Sequence, residues 1–197
     1  MLTFHVVIGG FTQKSNRWHG CLKLNERLVS ELSLGTYNRV WYHRWCDDWS
    51  KIAEHIWVLS ERYDDDAQVC IYAYSWGAGW GAMQFAKALK KCGVDVVIMV
   101  LSDPIFRHPR ICLRWLALTK SWRAIKVPSN VREIYHFYQR EDRPEGHALS
   151  PENGSTVIHS GIRLRWVHTK MDDAPEWHGR SMKEAIRICC EAQATEE

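Results

Sequence analysis

The chain has 197 residues, 46% of them apolar and 25% charged, with a formal net charge of +3. That length suits one domain around one core, and the composition is ordinary for a globular protein. The charge is too small to mark a nucleic-acid binder by itself, and the longest apolar run, Val96–Leu101, is too short to span a membrane.

Thr3–Ile8 is a short continuous apolar run, the pattern of a buried strand. It follows Met1-Leu2 with no basic segment and no cleavage site, so it reads as a first strand and not as a signal peptide. Trp18–Leu34 predicts a helix with Cys21, Leu24, Leu28 and Leu32 on one face and Gly35 as its stop. Arg39–His43 is the second strand. Asp47 and Asp48 offer an N-cap for a helix through Tyr63, buried on Trp49, Ile52, Ile56 and Leu59. Gln68–Tyr74 is the third strand. The helix Gly79–Lys91 then buries Ala82, Phe85, Ala86 and Leu89, and stops at Gly93. Val94–Leu101 is the fourth strand, and Val131–Tyr138 and Ile162–Val167 are the fifth and sixth. Pro175-Glu176 opens a last helix with Met182, Ala185, Ile186 and Cys189 facing inward. Residues 104–127 break the alternation and read as an insertion.

Strand–helix alternation with fully apolar strands predicts an α/β fold, a three-layer sandwich around a mostly parallel sheet of about six strands. No second domain is expected. Of the eleven tryptophans, more are expected to fill the core than to line a pocket. The seven cysteines include no Cys-x-x-Cys pair, which removes the usual support for zinc or thioredoxin-type chemistry. Scattered cysteines point to a reducing compartment, hence to a cytoplasmic protein.

In a parallel sheet, ligands bind beyond the carboxyl ends of the strands. Ala73-Tyr74-Ser75-Trp76-Gly77 sits at such an end, between a strand and a helix. A serine with very small residues two places before and after it, on that kind of turn, is the nucleophile-elbow pattern. The plain alternative is a serine that N-caps the helix, which leaves Gly77, Gly79 and Gly81 unexplained. After the first strand, Gly9-Gly10-Phe11 allows a sharp turn. Backbone N–H groups of Phe11 and Trp76, with Gly10 shaping the turn, are the candidate oxyanion donors. A phosphate-loop reading of the same segment, prompted by Lys14-Ser15, fails because Gln13 and Ile8 stand where it needs glycine.

After the fourth strand comes Asp103, fixed by Pro104, and after the fifth comes Asp142. Either could orient a base, with Asp103 preferred because it directly follows an apolar run. After the sixth comes His168, the preferred base over His178, which falls inside the last helix. Asp172, Asp173 and His178 could also be read as metal ligands, but carboxylates suit a helix N-terminus anyway. No metal and no cofactor is expected.

Together these residues resemble the α/β-hydrolase superfamily, from Val6 to Ile188. Val6-Val7-Ile8-Gly9-Gly10-Phe11 is similar to the family's strand and His-Gly turn, with Gly9 replacing the histidine. Tyr74-Ser75-Trp76-Gly77-Ala78-Gly79 resembles its elbow, with Ala73 where glycine is usual. His168 followed by Pro175-Glu176 is similar to its ending. The chain resembles a minimal core, of the size of cutinase-like esterases, and its overall pattern resembles small hydrolases carried by bacteriophages. The resemblance implies a lipase-like serine esterase or thioesterase with Ser75 as nucleophile, His168 as base and Asp103 or Asp142 as acid, acting on a small acyl substrate. In the family an insertion placed like 104–127 often forms a lid. Its arginines, lysines and tryptophans would suit an anionic substrate or a membrane interface; the plainer reading is a solvated helix packed on the core. Two other functions fit the same pattern: a non-catalytic binding module on the fold, and an amidase or peptidase using the same three residues.

Overall fold

A computed structural model describes residues 1–11, 13, 18–32, 37–106 and 124–194. The main sheet runs β2 (Asn38–Arg44), β1 (Leu2–Gly9), β3 (Ala67–Tyr74), β4 (Asp95–Ser102) and β6 (Val131–Tyr138), and β6 also pairs with the two-residue strands β8 (Val157–Ile158) and β9 (Ile162–Arg163). Every pairing is parallel. The first four strands pair in parallel because a crossover separates each from the next, and a helix lies in each of those crossovers.

The two faces are apolar for different partners. Phe4, Val6, Ile8, Val69, Ile71 and Leu101 meet α2 (Trp49–Tyr63) and α3 (Ala82–Lys91) on one side. Val7, Tyr72, Tyr74, Ile98 and Val100 meet α1 (Gly20–Leu32) and α4 (Pro175–Ala194) on the other. The central strands β1, β3 and β4 are therefore mostly apolar on both faces, with Thr3, His5 and Gln68 among the buried polar exceptions, while β2 and β6 carry Arg39, His43, Arg132 and Glu133. The register between β3 and β4 shifts after Val69, so β4 carries an extra residue there. This bulge puts Val97 and Ile98 in the same apolar cluster, a break in period two that the sequence pattern does not reveal.

The expected α1 face is observed, with Cys21, Leu24, Leu28 and Leu32 buried; the expected stop at Gly35 lies outside the described residues. Asp48 caps α2 by accepting from the Lys51 N–H at 3.2 Å. Ile52 and Leu59 are only partly buried, while Ala53 is buried. On α4, Ile186 is exposed, and Ile188 takes the inner position expected of it.

Two expected elements differ more. The strand expected at Ile162–Val167 shrinks to β9: Leu164 beyond it is buried, but Arg165, Trp166 and Val167 are exposed and do not pair with the sheet. The insertion at 104–127 is not one element. Its last residues form β5 (Ile125–Val127), which pairs with β7 (Leu149–Pro151) in a separate two-stranded sheet. Residues 107–123, which carry the basic and aromatic side chains of the expected lid, lie outside the described residues. Among the described residues, no helix is long and apolar enough to cross a membrane.

Candidate active site

The carboxyl ends of β1, β3, β4 and β6 meet at one edge of the sheet. Ser75 follows β3 directly and has φ 55°. This left-handed backbone is costly for a residue with a Cβ, by about 1–2 kcal/mol, and it lifts the side chain out of the line of the strand. A single π-helical turn, Gly77–Gly81, joins Ser75 to α3. Gly77 shows why the turn needs small residues. A Cβ there would lie 2.5 Å from the Gly9 carbonyl oxygen, so β1 and the turn could not pack as closely. Gly10 packs over the serine in the same way: a Cβ on it would meet the Ser75 Cβ at 3.1 Å.

Ser75 Oγ and His168 Nε2 are 2.9 Å apart. On the far side of the ring, Nδ1 lies 2.6 Å from Asp103 Oδ2. A carboxylate only accepts, so Nδ1 carries the proton and Nε2 is left to accept from the serine hydroxyl. The three side chains form one hydrogen-bonded line. Asp103 is completely buried and also has a left-handed backbone, φ 44°. Its N–H donates to the Phe137 carbonyl at 2.8 Å, which fixes the strand end that carries it.

The second candidate acid touches the same histidine in a different place. Asp142 Oδ1 accepts from the backbone N–H of His168 at 2.6 Å. It holds the main chain, while Asp103 holds the ring. The Tyr74 hydroxyl donates to the His168 carbonyl at 2.7 Å, and the two rings stack with centroids 5.3 Å apart. Ser102 Oγ donates to the Met171 carbonyl at 2.8 Å, tying the end of β4 to the segment that follows the histidine. His168 is thus held at its N–H, its carbonyl and both ring nitrogens.

Gln139, the first residue after β6, is fully buried and connects the two acids. Its backbone N–H donates to Asp103 Oδ1 at 3.3 Å and its Nε2 to Asp103 Oδ2 at 3.1 Å. Its Oε1 accepts from the N–H groups of Glu141 and Asp142, at 2.7 and 3.0 Å. Neither Gln139 nor Tyr74 was singled out in the sequence. The available signal was position, since each lies within one residue of a strand end that carries a candidate.

His178 does not join this line. Its Nε2 lies 2.7 Å from the Asp172 carbonyl oxygen, and burial pushes its imidazole below the usual histidine range. No protein-family model and no curated protein matches this chain.

The residues weighed as metal ligands are engaged elsewhere: Asp173 pairs with Lys23 at 2.6 Å, and His178 faces the Asp172 carbonyl oxygen. His19, Cys21 and Asp172 do bring three ligand-type atoms within 4.8 Å of one another. Asp172 Oδ2 there already accepts from Gln13 Nε2 and the Gly20 N–H. Burial raises the Cys21 thiol well above its ordinary value, which favours the protonated form over the thiolate that binds metals.

An aromatic group stands beside the serine turn. Trp76 and Trp45 stack with centroids 4.0 Å apart, and Phe11 lies 5.0 Å from Trp76. Trp76 is buried, but Phe11 is exposed. On the other side, the Ile105 N–H donates to the Ser75 carbonyl at 2.9 Å, and the next residue, Phe106, is also exposed.

Proposed function

We propose that this protein is a serine hydrolase of the α/β-hydrolase kind, cleaving an acyl ester or thioester. One observation carries the reading: a buried carboxylate, an imidazole and a serine hydroxyl in one hydrogen-bonded line, with the serine on a left-handed turn at the carboxyl edge of a parallel sheet. A serine that only capped a helix would need neither the turn nor the line behind it.

In this reading the Ser75 Oγ–H proton passes to His168 Nε2 as Oγ attacks the acyl carbonyl carbon. The carbonyl π pair moves onto its oxygen, which the Phe11 and Trp76 N–H groups stabilise. Asp103 stabilises the imidazolium formed. As the tetrahedral species collapses, the bond to the leaving oxygen or sulfur breaks, and that atom takes the proton from Nε2. Water then repeats the sequence on the acyl-enzyme: it gives a proton to Nε2, attacks the acyl carbon, and Oγ leaves with that proton. Exposed Phe11 and Phe106 favour an apolar acyl or alkoxy group over a charged one.

The test is a fluorophosphonate probe with mass mapping of the labelled peptide. Labelling of Ser75 that disappears in Ser75→Ala, with hydrolysis of p-nitrophenyl and thioester substrates, is the expected result. Labelling that survives Ser75→Ala refutes the reading.

A further inference from the structure

Gln13 stands where a phosphate loop would need glycine, and the triad does not touch it. Its hydrogen bonds run to Gly10 on one side and to Asp172 on the other. Gln13 Oε1 accepts from the Gly10 N–H at 2.9 Å, and the Gln13 N–H donates to the Gly10 carbonyl at 3.2 Å. One residue therefore holds both peptide groups flanking Gly10. The second of these carries the Phe11 N–H. In a planar trans peptide, the N–H points opposite to the carbonyl of the same unit. Fixing the Gly10 carbonyl toward Gln13 therefore fixes the Phe11 N–H in the opposite direction.

The side-chain amide of Gln13 is itself oriented. Its Nε2 donates to Asp172 Oδ2 at 2.5 Å. A flipped amide would face an oxygen with a carboxylate and an NH₂ with an N–H, so the flip is excluded by both ends. Asp172 is in turn fixed. It is buried, and the same Oδ2 accepts from the Gly20 N–H at 2.8 Å. Gly20 leaves room for this, because a Cβ on it would overlap the Asp172 carbonyl. Asp172 lies in the short 3-10 helix that begins with His168. The segment bearing the base and the turn bearing an oxyanion donor are joined through one carboxylate and one amide.

We infer that Gln13, oriented by Asp172, is a positioning residue that aims the Phe11 N–H at the oxyanion of the reaction proposed above. The inference rests on that hydrolase reading. Gln13 touches no reacting atom, so its effect falls on the transition state more than on substrate binding.

Two variants test it, with p-nitrophenyl butyrate as substrate. Gln13→Met keeps the length of the side chain and removes both side-chain bonds, so the Gly10 N–H and the tie to Asp172 are released and the Gly10 carbonyl is held by the main-chain N–H of residue 13 alone. Loss of one oxyanion donor costs about 10²–10³ in kcat, and misdirection without loss should cost about 10- to 100-fold, with KM changed by less than about threefold. Gln13→Glu places a carboxylate against Asp172, and a like-charged pair this close holds one shared proton once the pH is low enough. That proton restores a donor toward Asp172 while the introduced carboxyl group still accepts from the Gly10 N–H. The activity of Gln13→Glu relative to wild type is therefore expected to rise by about fivefold or more between about pH 7.5 and about pH 5.5. Taking the ratio to wild type removes pH effects common to both proteins. The other titratable groups around the pair are Asp173, Lys23, Cys21, His19, Tyr42, Tyr74 and His178, all present in both proteins.

Wild-type activity with a Gln13→Met kcat unchanged within about twofold overturns the inference and leaves the hydrolase reading standing. If Gln13→Met does not fold, Gln13→Glu decides alone, and absence of acid rescue overturns the inference. A wild-type protein that neither labels nor hydrolyses removes the hydrolase reading and this inference with it.

Discussion

Replacing Asp103 by Asn removes one negative charge from behind His168 at almost constant volume. The structure says where the new amide must go. Among the described residues, Oδ2 faces two donors, His168 Nδ1 and Gln139 Nε2, while Oδ1 faces one, the Gln139 N–H at 3.3 Å. The NH₂ therefore turns toward Oδ1, and the remaining carbonyl still accepts from Nδ1. The tautomer survives, and what is lost is the charge that, in the proposed reaction, stabilises the imidazolium in the transition state. Two unit charges about 4 Å apart interact by about 4 kcal/mol at an effective dielectric constant near 20, which corresponds to about a 10³-fold fall in kcat. Asp142→Asn gives the contrast. Its carbonyl oxygen can still accept from the His168 backbone N–H, and no ring nitrogen depends on it, so a loss below about tenfold is expected. Steady-state kinetics on p-nitrophenyl butyrate and the second-order rate of fluorophosphonate labelling measure both variants. Asp142→Asn losing as much as Asp103→Asn, or more, would refute this division of roles.

Gly77→Ala should destabilise the fold by about 2 kcal/mol or more, because the new methyl meets the Gly9 carbonyl oxygen at 2.5 Å and forces β1 from the serine turn; an unchanged thermal midpoint contradicts the packing argument. Stability should also fall on acidification. Burial lowers the imidazoles of His5 and His136 from 6.5 to about 4. Between those values the unfolded chain binds protons that the native protein refuses, so stability rises with pH in that window and is lost as pH falls from about 6.5 toward about 4. The gap amounts to about 3 kcal/mol per histidine at most. Asp172, held above its ordinary 3.8 by burial, acts in the opposite direction at the acid end. Urea midpoints at about pH 7 and about pH 4.5 should differ accordingly. His136→Phe should reduce the difference without abolishing it, since His5, His147 and His178 are also held low by burial, and among the described residues His136 Nε2 has no hydrogen-bond partner to lose. A pH-independent midpoint refutes the assignment of buried neutral histidines.

Much of this protein is legible along the chain. Apolar runs at Thr3–Ile8, Gln68–Tyr74 and Val94–Leu101, each set off by an amphipathic helix, determine a parallel sheet covered on both faces. A parallel sheet in turn puts Gly10, Ser75, Asp103 and His168 at one edge. Small residues around Ser75 indicate the turn, because only they tolerate the close approach of β1.

The sequence places residues at a strand end, but a side chain's direction past that end depends on backbone angles set by contacts distant in sequence. Asp103 and Asp142 show this. Both follow strands and both reach His168. Only the left-handed turn at Asp103, pinned to the Phe137 carbonyl, directs its carboxylate to the ring, and Asp142 is left with the main chain. Gln139 and Gln13 were invisible for the same reason. Each is an ordinary polar loop residue until folding brings its amide between groups 36 and 159 positions away. The order of the chemical groups is written in the sequence, and their aim is decided by the tertiary structure, because hydrogen-bond geometry depends on angles that no single segment fixes alone.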